Sequence, residues 1–472
     1  MLAAVILMAH LVGVISAIDA VWNTRTPQGA IAWSAVLITV PYVAVPAYWV
    51  LGRSRFQGYV TARRGDDSEI RHVGEAAGRL AEPYFVSESE TEYVAAVRAA
   101  ARLARVPYLR GNEVELLIDG EETFSSILDG IDRAEDYILF QFFIVKHDEL
   151  GTEVKNHLLA KAREGVRVYF LYDEVGSHDL SKEYKNELRA AGAEVRDFHS
   201  RKGSGNRFQI NFRNHRKIVV IDGKETWIGG HNVGDEYMGR DPKFGNWRDT
   251  HVRMRGPAAL AAQLSFVEDW YWASERVPEL SWRTVPAADP GVRVLVIPTG
   301  PADELETAAL MFVHAINSAR DRLWIASPYF VPDEGVIAAL QLAALRGVDV
   351  RILIPDMPDH LAVYLAAFSY FDEVKKTGVR FYRYTDGFLH QKAVLIDDQA
   401  AMIGTANFDN RSFRLNFEVT AVIADSVFIG DVERMFEADF ARSREMESDE
   451  LEDRSFWFKL GVKLARLTAP IQ

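Results

Sequence analysis

Two copies of one pattern contain most of the residues that could do chemistry in this chain. The first copy is HRKIVVIDGKETWIGGHN at 215–232, and the second is HQKAVLIDDQAAMIGTAN at 390–407. A single HxKxxxxD match arises by chance in a chain of this length at roughly the per cent level. Two copies with the same later Gly and Asn indicate an internal repeat. The shared positions are His215, Lys217, Asp222, Gly229 and Asn232, then His390, Lys392, Asp397, Gly404 and Asn407.

These residue types suit chemistry at a phosphate. Lys217, Lys392, Asn232 and Asn407 supply hydrogen-bond donors for an anionic oxygen. A histidine can attack as a nucleophile or move a proton, because its ordinary pKa lies near neutrality. Two such units facing each other would hold one phosphate between two imidazoles. One imidazole would attack phosphorus while the other protonates the leaving alcohol.

The same residues indicate the elements that position these groups. KIVVID and KAVLID are short β-branched runs that predict buried strands, and TWIG and AMIG predict a second strand in each copy. Side chains alternate along a strand, so a His and a Lys two residues apart share a face. Asp222 and Asp397 lie beyond these same-face positions, at a turn, so we interpret them as turn-stabilising residues.

The two motifs resemble the signature motifs of the phospholipase D superfamily. The stretches NVGDEYMGRDPKFGNWRDTHV at 232–252 and NFDNRSFRLNFEV at 407–419 further resemble bacterial cardiolipin synthases, and the resemblance covers essentially the whole chain. It implies two phospholipase D-like α/β/α sandwich domains with pseudo-twofold symmetry. It also implies catalysis without a metal or another cofactor. The signature counts Asp222 and Asp397 with the catalytic His and Lys residues.

The resemblance also implies roles for the two histidines. His215 is expected to form a phosphatidyl-histidine, and His390 to protonate the departing alcohol and then activate the acceptor. Asp249 in NWRDTHV and Glu418 in NFEV stand at matching places after the two motifs. A carboxylate bonded to one imidazole nitrogen fixes the tautomer and leaves the other nitrogen free. We predict that Asp249 pairs with His215 and Glu418 with His390.

The repeat extends upstream of both motifs. IDRAEDYI at 131–138 leads into the strand-like ILFQFFIV, and INSARDRL at 316–323 leads into WIASPYFV. Helices between buried strands predict two layered α/β halves with a largely parallel core. The predicted organisation is a membrane hairpin at 1–52, a helical connector at 53–111, halves at 112–285 and 286–447 that join near 284–291, and a C-terminal segment at 448–472.

Composition limits the function classes. The chain has 472 residues and no cysteine, which excludes disulfides and thiolate metal sites. Its histidines show no HExxH-type spacing, so the sequence predicts no metal site. The net charge of −13 argues against a general nucleic-acid binder, since affinity for a phosphate backbone requires a basic surface.

Two apolar runs near the N-terminus predict a membrane anchor. Residues 2–21 and 30–51 are each long enough to cross a hydrocarbon core about 30 Å thick. The first run lacks the basic start of a signal peptide and a second run follows, which favours a retained two-helix transmembrane hairpin. The positive-inside rule then predicts a multi-pass protein of the bacterial inner membrane with its catalytic part in the cytoplasm. The basic residues after the second run are Arg53, Arg55, Arg63 and Arg64.

Two later segments are typical of membrane-facing surfaces. SFWFKLGVKLARL at 455–467 predicts a basic amphipathic helix for an anionic lipid surface, with docking on the protein as the alternative. The acidic run before it, at 445–453, predicts a solvated linker. RKGSGNRFQINFRNHRK at 201–217 has no acidic residue and leads into His215. It suits an anionic lipid headgroup, or else it is an ordinary surface loop.

Together these features favour an enzyme that joins two phosphatidylglycerol molecules into cardiolipin and releases glycerol. The residues themselves support phosphodiester transfer at a membrane, whereas the donor and acceptor lipids follow from the resemblance. Another phosphatidyltransferase, a hydrolytic phospholipase D and a non-catalytic scaffold that binds anionic lipid stay open as alternatives. The sequence does not fix the oligomeric state, and a homo-oligomer is compatible with it.

Overall fold

The computed structural model describes residues 2–24, 26–52, 68–87, 94–198, 211–447 and 450–469. Two sequence predictions therefore lie largely outside the described residues. These are the arginines that follow the second apolar run, and residues 201–210 of the basic stretch before His215.

The N-terminal apolar runs form a folded-back group of helices. Because Pro41 has no backbone N–H, the second run breaks at Val40, where φ is −133° and ψ is 58°. Tyr48 Oη donates to Asp19 Oδ2 at 2.6 Å, so the second run lies along the first. Within the described residues, one helix, Ala4–Asn23, is long and apolar enough to cross a membrane, with a mean hydropathy of 2.2. The helices are α1 Leu2–Asn23, α2 Pro27–Thr39 and α3 Pro41–Ala47, followed by a π-helical turn at Tyr48–Gly52.

Two connector helices lead into the first half, which alternates strands and helices as the repeat predicts. The predicted boundary at residue 112 falls inside its first strand. The elements are α4 Ser68–Ala81, α5 Val94–Ala104, β1 Leu109–Ile118, α6 Asp119–Arg133, β2 Tyr137–Phe142, α7 Glu149–Arg163, β3 Arg167–Asp173, α8 Lys182–Ala190, β4 Glu194–Phe198, β5 Arg213–Asn214, β6 Ile218–Ile221, β7 Glu225–Gly229, β8 Trp247–Arg248, β9 Thr250–Arg255 and α9 Ala258–Ser274.

The second half follows the same order with several short elements added, and it ends in one further helix. The predicted join at 284–291 lies between α9 and β10, outside regular secondary structure. The elements are β10 Val292–Thr299, α10 Thr307–Ser318, β11 Arg322–Ala326, β12 Phe330–Val331, α11 Glu334–Leu345, β13 Asp349–Pro355, α12 Leu361–Lys375, β14 Arg380–Tyr384, β15 Phe388–Leu389, β16 Ala393–Ile396, β17 Ala400–Gly404, β18 Phe408–Asp409, α13 Asn410–Arg414, β19 Asn416–Ala424, α14 Ser426–Ala441, β20 Ser443–Glu445 and α15 Phe456–Arg466.

One continuous sheet runs through both halves. Its order is β20-β14-β13-β11-β16-β17-β19-β10-β1-β9-β7-β6-β2-β3-β4. Reading outward from the central β10–β1 pair gives equivalent strands in both directions, which is the predicted pseudo-twofold relation. Apolar clusters pack on both faces of the sheet against the helices, so each half is an α/β/α sandwich.

The sheet is mixed, and the prediction of a largely parallel core is wrong. Parallel pairing joins β2 to β3 and β3 to β4 in the first half, and β11 to β13 and β13 to β14 in the second. The motif strands β6–β7 and β16–β17 are antiparallel hairpins. Only three residues connect the two strands of each hairpin, 222–224 in the first and 397–399 in the second. A connection this short cannot make the crossover that parallel strands need.

The C-terminal segment packs on the second half. Val462 and Ala465 are buried in the same apolar cluster as α12, so one face of α15 docks on the protein. Glu450 accepts a hydrogen bond from buried Arg383 Nε at 3.0 Å and forms an ion pair with Arg444 at 2.7 Å. The interpretation of this acidic run as a solvated linker is therefore wrong at Glu450, because that carboxylate compensates a buried guanidinium.

Candidate active site

Each motif histidine is held by the opposite half of the molecule. The short strand β5 before His215 pairs in parallel with β19, and β15 before His390 pairs in parallel with β8. The backbone N–H of His215 donates to Phe417 O at 2.9 Å, and that of His390 donates to Arg248 O at 2.8 Å. Each histidine therefore lies beside the residue that immediately precedes the carboxylate of the other half.

The carboxylates bond the imidazoles in a crossed arrangement. His215 Nδ1 lies 2.9 Å from Glu418 Oε2, and His390 Nδ1 lies 2.6 Å from Asp249 Oδ2. Our prediction of pairing within each half is wrong, because the short parallel strands bring each carboxylate to the histidine of the other half. The bond uses Nδ1 in both cases. Nε2 of each ring is left to react, as a nucleophile or a proton carrier requires.

The two carboxylates are positioned by different neighbours. Glu418 Oε2 accepts a hydrogen bond from Thr405 Oγ1 at 2.6 Å, and its Oε1 accepts one from Asn416 Nδ2 at 3.1 Å. The first motif has Gly230 where the second has Thr405. A Cβ atom at Gly230 would overlap Asp249 Oδ1, so this glycine leaves the space that the carboxylate occupies.

Lys217 and Lys392 lie on the same strand face as the histidines, as predicted. Lys217 Nζ donates to His215 O at 2.6 Å, while Lys392 Nζ donates to His390 O and lies 2.9 Å from His390 Nδ1. Burial lowers the pKa of Lys392 to about 8 and that of Lys217 well below its ordinary value, against the opposing charges of nearby carboxylates. Two buried amines at one site favour an anionic ligand, which would compensate both charges.

Burial favours the neutral form of both imidazoles. Burial lowers the pKa of His215 to about 4, although the charge of Glu418 opposes the shift. Burial and the charges of Lys392 and Lys217 lower the pKa of His390 well below its ordinary value. A neutral imidazole can attack phosphorus. A bound phosphodiester would offset the ammonium charges and raise the pKa of His390, which then could carry a proton.

Asn232 and Asn407 both lie in this region but differ in their partners. Asn232 Oδ1 accepts from the backbone N–H of Ile144 at 3.1 Å, and its Nδ2 donates to Tyr237 Oη at 3.0 Å. An amide NH₂ has two hydrogens, so one donor of Asn232 is left for a ligand. Among the described residues, Asn407 Oδ1 is buried without a hydrogen-bond partner.

Asp222 and Asp397 bind backbone amides at the far end of the motif strands. The Asp222 carboxylate accepts hydrogen bonds of 2.8 to 3.0 Å from the N–H groups of residues 135, 136 and 137. Asp397 does the same with residues 320, 321 and 322, at 2.7 to 2.9 Å. They connect the motif turn to the start of β2 in the first half and to the start of β11 in the second. This geometry agrees with the turn-stabilising interpretation and not with the catalytic role in the family signature.

Aromatic residues that sequence reasoning missed line both imidazoles. The ring centroid of Phe143 lies 5.0 Å from that of His215, and those of Trp247 and Tyr237 lie 5.1 and 6.2 Å from that of His390. Trp247 and Tyr237 lie in the 232–252 stretch that carries the family resemblance. The family resemblance of this stretch could therefore have marked Trp247 and Tyr237 as site residues. Nothing in the stretch indicates that both approach the histidine of the second motif.

Comparison with known proteins identifies the family. The family model "Cardiolipin synthase, PLD-like domain" matches residues 127–242 and 312–440, one segment in each half. Cardiolipin synthase A of Pseudomonas entomophila (strain L48) is 48% identical over 470 residues, covering 98% of this chain and 97% of the relative. This chain belongs to the cardiolipin synthase family. Cardiolipin synthase A of Pseudomonas syringae pv. syringae (strain B728a) is 49% identical over 463 residues, covering 98% of this chain and 96% of the relative. The predicted family resemblance is thus confirmed.

Solved structures support the fold of this cardiolipin synthase family member. Phosphatidylserine synthase of Haemophilus influenzae Rd KW20 matches with a TM-score of 0.61 at 17% identity, covering 80% of this chain and 100% of that one. Polyphosphate kinase of Porphyromonas gingivalis matches with a TM-score of 0.51 at 12% identity, covering 74% of this chain and 52% of that one. At such identities the likeness concerns the fold alone.

The crossed pairing predicts which histidine each carboxylate controls. Glu418→Gln is expected to lower turnover by about 10²–10⁴-fold, because the amide no longer enforces the Nδ1–H tautomer of His215. ¹⁵N NMR should show a changed tautomer at His215 and an unchanged one at His390. Asp249→Asn should give the opposite pattern. A change at His390 alone in the Glu418→Gln protein would contradict the crossed arrangement.

Proposed function

We propose that this chain transfers the phosphatidyl group of one phosphatidylglycerol to the terminal hydroxyl of a second, forming cardiolipin and releasing glycerol. One observation carries the proposal. Two buried imidazoles, each bonded through Nδ1 to the carboxylate of the opposite half, lie beside two buried lysines. This arrangement suits a single phosphate bound between the two motifs, so a complete site requires both halves.

In the proposed first step, His215 Nε2 attacks the phosphorus of phosphatidylglycerol. The P–O bond to glycerol breaks, and His390, which holds a proton on Nε2 once the phosphate is bound, gives that proton to the departing glycerol oxygen. Glu418 stabilises the positive charge that develops on the His215 ring. Lys217 and Lys392 stabilise the charge on the non-bridging phosphoryl oxygens. The product is a phosphatidyl-histidine.

In the second step, the terminal hydroxyl of another phosphatidylglycerol attacks the same phosphorus. His390 takes the hydroxyl proton, the new O–P bond forms, and the bond from phosphorus to His215 Nε2 breaks. Cardiolipin leaves and the His215 ring returns to its neutral form. Water attacking in place of the lipid alcohol would give phosphatidic acid instead.

The test is to incubate the purified full-length chain with phosphatidylglycerol and identify the lipid products. Cardiolipin and glycerol in equal amounts would support the proposal. Phosphatidic acid as the main product would favour a hydrolytic phospholipase D. Transfer to other alcohols in preference to phosphatidylglycerol would favour another phosphatidyltransferase. Lipid binding without turnover would favour a non-catalytic scaffold.

We also propose that residues 1–52 anchor the enzyme in the bacterial cell membrane by two passes, with both catalytic halves in the cytoplasm. The apolar helix α1, and the second run folded along it, support this arrangement. The exposed face of α15 would form a second contact with the membrane. Trp457 and Leu467 are each 76% exposed there, next to Lys463 and Arg466. Exposed apolar and basic side chains on one helix suit an anionic lipid surface.

This membrane contact predicts a salt-dependent effect of Lys463. In a form that starts at residue 54 and lacks the membrane hairpin, Lys463→Gln is expected to lower turnover on phosphatidylglycerol vesicles about fivefold at low salt, because each basic residue near an anionic surface contributes about 1 kcal/mol to membrane binding. The difference should shrink as salt rises. Turnover on detergent-dispersed lipid should not change. Lys224→Gln, at the exposed turn of the first motif, is the matched control. Equal losses on vesicles and in detergent would contradict a role at the membrane.

A further inference from the structure

The pseudo-twofold relation lets equivalent positions of the two halves be compared. In the first half, Val145 forms a parallel β-bridge with Val233, the residue after Asn232. In the second half, Phe330 pairs in the same way with Phe408, the residue after Asn407. The residues one position earlier, Ile144 and Tyr329, are therefore equivalent. The first half thus has an aliphatic side chain where the second half has a phenol.

A second difference lies four residues beyond the ends of β3 and β13, at Ser177 and Asp359. Ser177 Oγ is used inside the protein, accepting from Val145 N at 2.9 Å and donating to Phe143 O at 3.0 Å. Asp359 instead accepts a hydrogen bond from Tyr329 Oη, and its side chain is 19% exposed. The second half therefore has a partly exposed hydroxyl–carboxylate pair that the first half lacks.

The Tyr329–Asp359 pair lies close to the second motif, because Tyr329 immediately precedes Phe330, which pairs with Phe408, the residue after Asn407. Burial lowers the pKa of Lys392 to about 8, and Asp359 is one of the carboxylates that oppose this shift. Burial raises the pKa of Tyr237 well above its ordinary value, and the charge of Asp359 adds to that shift. The ring of Tyr237 is 6.2 Å from that of His390. Asp359 thus lies within electrostatic reach of Lys392 and Tyr237, two neighbours of the His390 imidazole.

We propose that Tyr329 and Asp359 bind the glycerol hydroxyls of the alcohol that leaves or attacks beside His390. This inference rests on the proposed function, in which departing glycerol and the glycerol end of the acceptor lipid use the same side of the site. A carboxylate can accept hydrogen bonds from two hydroxyls, and a phenol can both donate and accept.

The pair would select a polyol over water. A vicinal diol can bond the carboxylate with one hydroxyl and the phenol with the other, whereas water or a simple alcohol has only one oxygen to offer. A hydrogen bond to a charged group contributes more than one between neutral groups, so the second hydroxyl of a diol favours its binding over that of a simple alcohol. The asymmetry between the halves thus assigns the alcohol to the His390 side of the site, where the second half has the Tyr329–Asp359 pair.

The test measures how the phosphatidyl-enzyme divides between competing acceptors. The full-length chain is given phosphatidylglycerol in detergent with equal concentrations of ¹³C-glycerol and 1-propanol, and labelled phosphatidylglycerol, phosphatidylpropanol and phosphatidic acid are quantified. Tyr329→Phe and Asp359→Asn should each lower the ratio of glycerol transfer to propanol transfer by about tenfold and raise the share of phosphatidic acid. Only active enzyme contributes to the ratio, so partial misfolding cannot imitate the result.

Matched controls separate the pair from general disturbance of the fold. Tyr382→Phe removes a phenol on β14 that donates to Glu445 on β20, and Asp356→Asn changes a carboxylate in the same loop as Asp359. Both should keep the wild-type ratio. An unchanged ratio in Tyr329→Phe and Asp359→Asn, with cardiolipin still formed by the wild type, would overturn the inference and leave the proposed function standing. A wild type that transfers to no alcohol would overturn both.

Discussion

The His390→Ala protein, incubated with phosphatidylglycerol, is expected to accumulate a phosphatidyl group on His215. The nucleophile is intact, so the bond to phosphorus can still form, although slowly because no acid protonates the departing glycerol. No group then remains to activate the acceptor alcohol, so the adduct is not consumed. Overall turnover should fall about 10⁴–10⁶-fold, as for other residues that act as one catalytic unit. Mass spectrometry of the peptide that contains His215 measures the adduct directly.

The reciprocal variant distinguishes the two possible orders. His215→Ala should lose turnover by a similar factor and carry no lipid adduct, since the nucleophile itself is absent. His178→Ala removes an exposed histidine and serves as the control, with normal turnover expected. An adduct on His390 in the His215→Ala protein would reverse the two roles. The absence of any adduct in both variants would argue against a covalent intermediate.

Much of the fold could be predicted because the signals are local. The strand pairs β6–β7 and β16–β17 follow from short β-branched runs that flank a turn, and the same-face placement of Lys217 with His215 follows from strand alternation. The turn role of Asp222 was likewise predicted from its distance along the strand. Each of these inferences depends only on residues that are close in sequence. The same local pattern occurs in both motif copies, which supports each inference a second time.

The crossed carboxylates could not be predicted for the opposite reason. Asp249 follows the first motif and Glu418 the second, so sequence proximity favours pairing within each half. The outcome depends on two-residue strands, β5 and β15, that pair with the opposite half. Such short segments have no periodicity from which a partner can be read. The hydrogen bond between Tyr329 and Asp359 could not be predicted either, because these residues are 30 positions apart in the sequence and meet only when the sheet forms.

Crossing also links the fold to the chemistry. Because Glu418 of the second half holds His215 of the first, and Asp249 of the first half holds His390 of the second, neither half alone contains a complete imidazole–carboxylate unit. A change that separates the central strands β1 and β10 would therefore disturb both units at once. The two halves have to fold against each other before either histidine has its reactive tautomer.

The lysine pair predicts the second large effect. Lys217→Met or Lys392→Met is expected to lower turnover about 10²–10³-fold, because each removes a donor that stabilises negative charge developing on the phosphoryl oxygens. Lys224→Met changes an exposed lysine on the turn of the first motif and should leave turnover unchanged. Near-normal turnover in either buried-lysine variant would refute the proposed phosphate clamp.

The same pair predicts how the rate depends on pH. Burial lowers the pKa of Lys392 to about 8, so its charged form is present below that pH and is lost as the pH rises through it. The ratio kcat/KM reports groups of the free enzyme, and it should therefore fall on the alkaline side near pH 8. Lys392→Arg keeps a cation throughout this range, since a guanidinium does not lose its proton there. The alkaline fall in kcat/KM should consequently disappear in Lys392→Arg, whatever its maximal rate. An alkaline fall at the same pH in both proteins would assign that ionisation to a group other than Lys392.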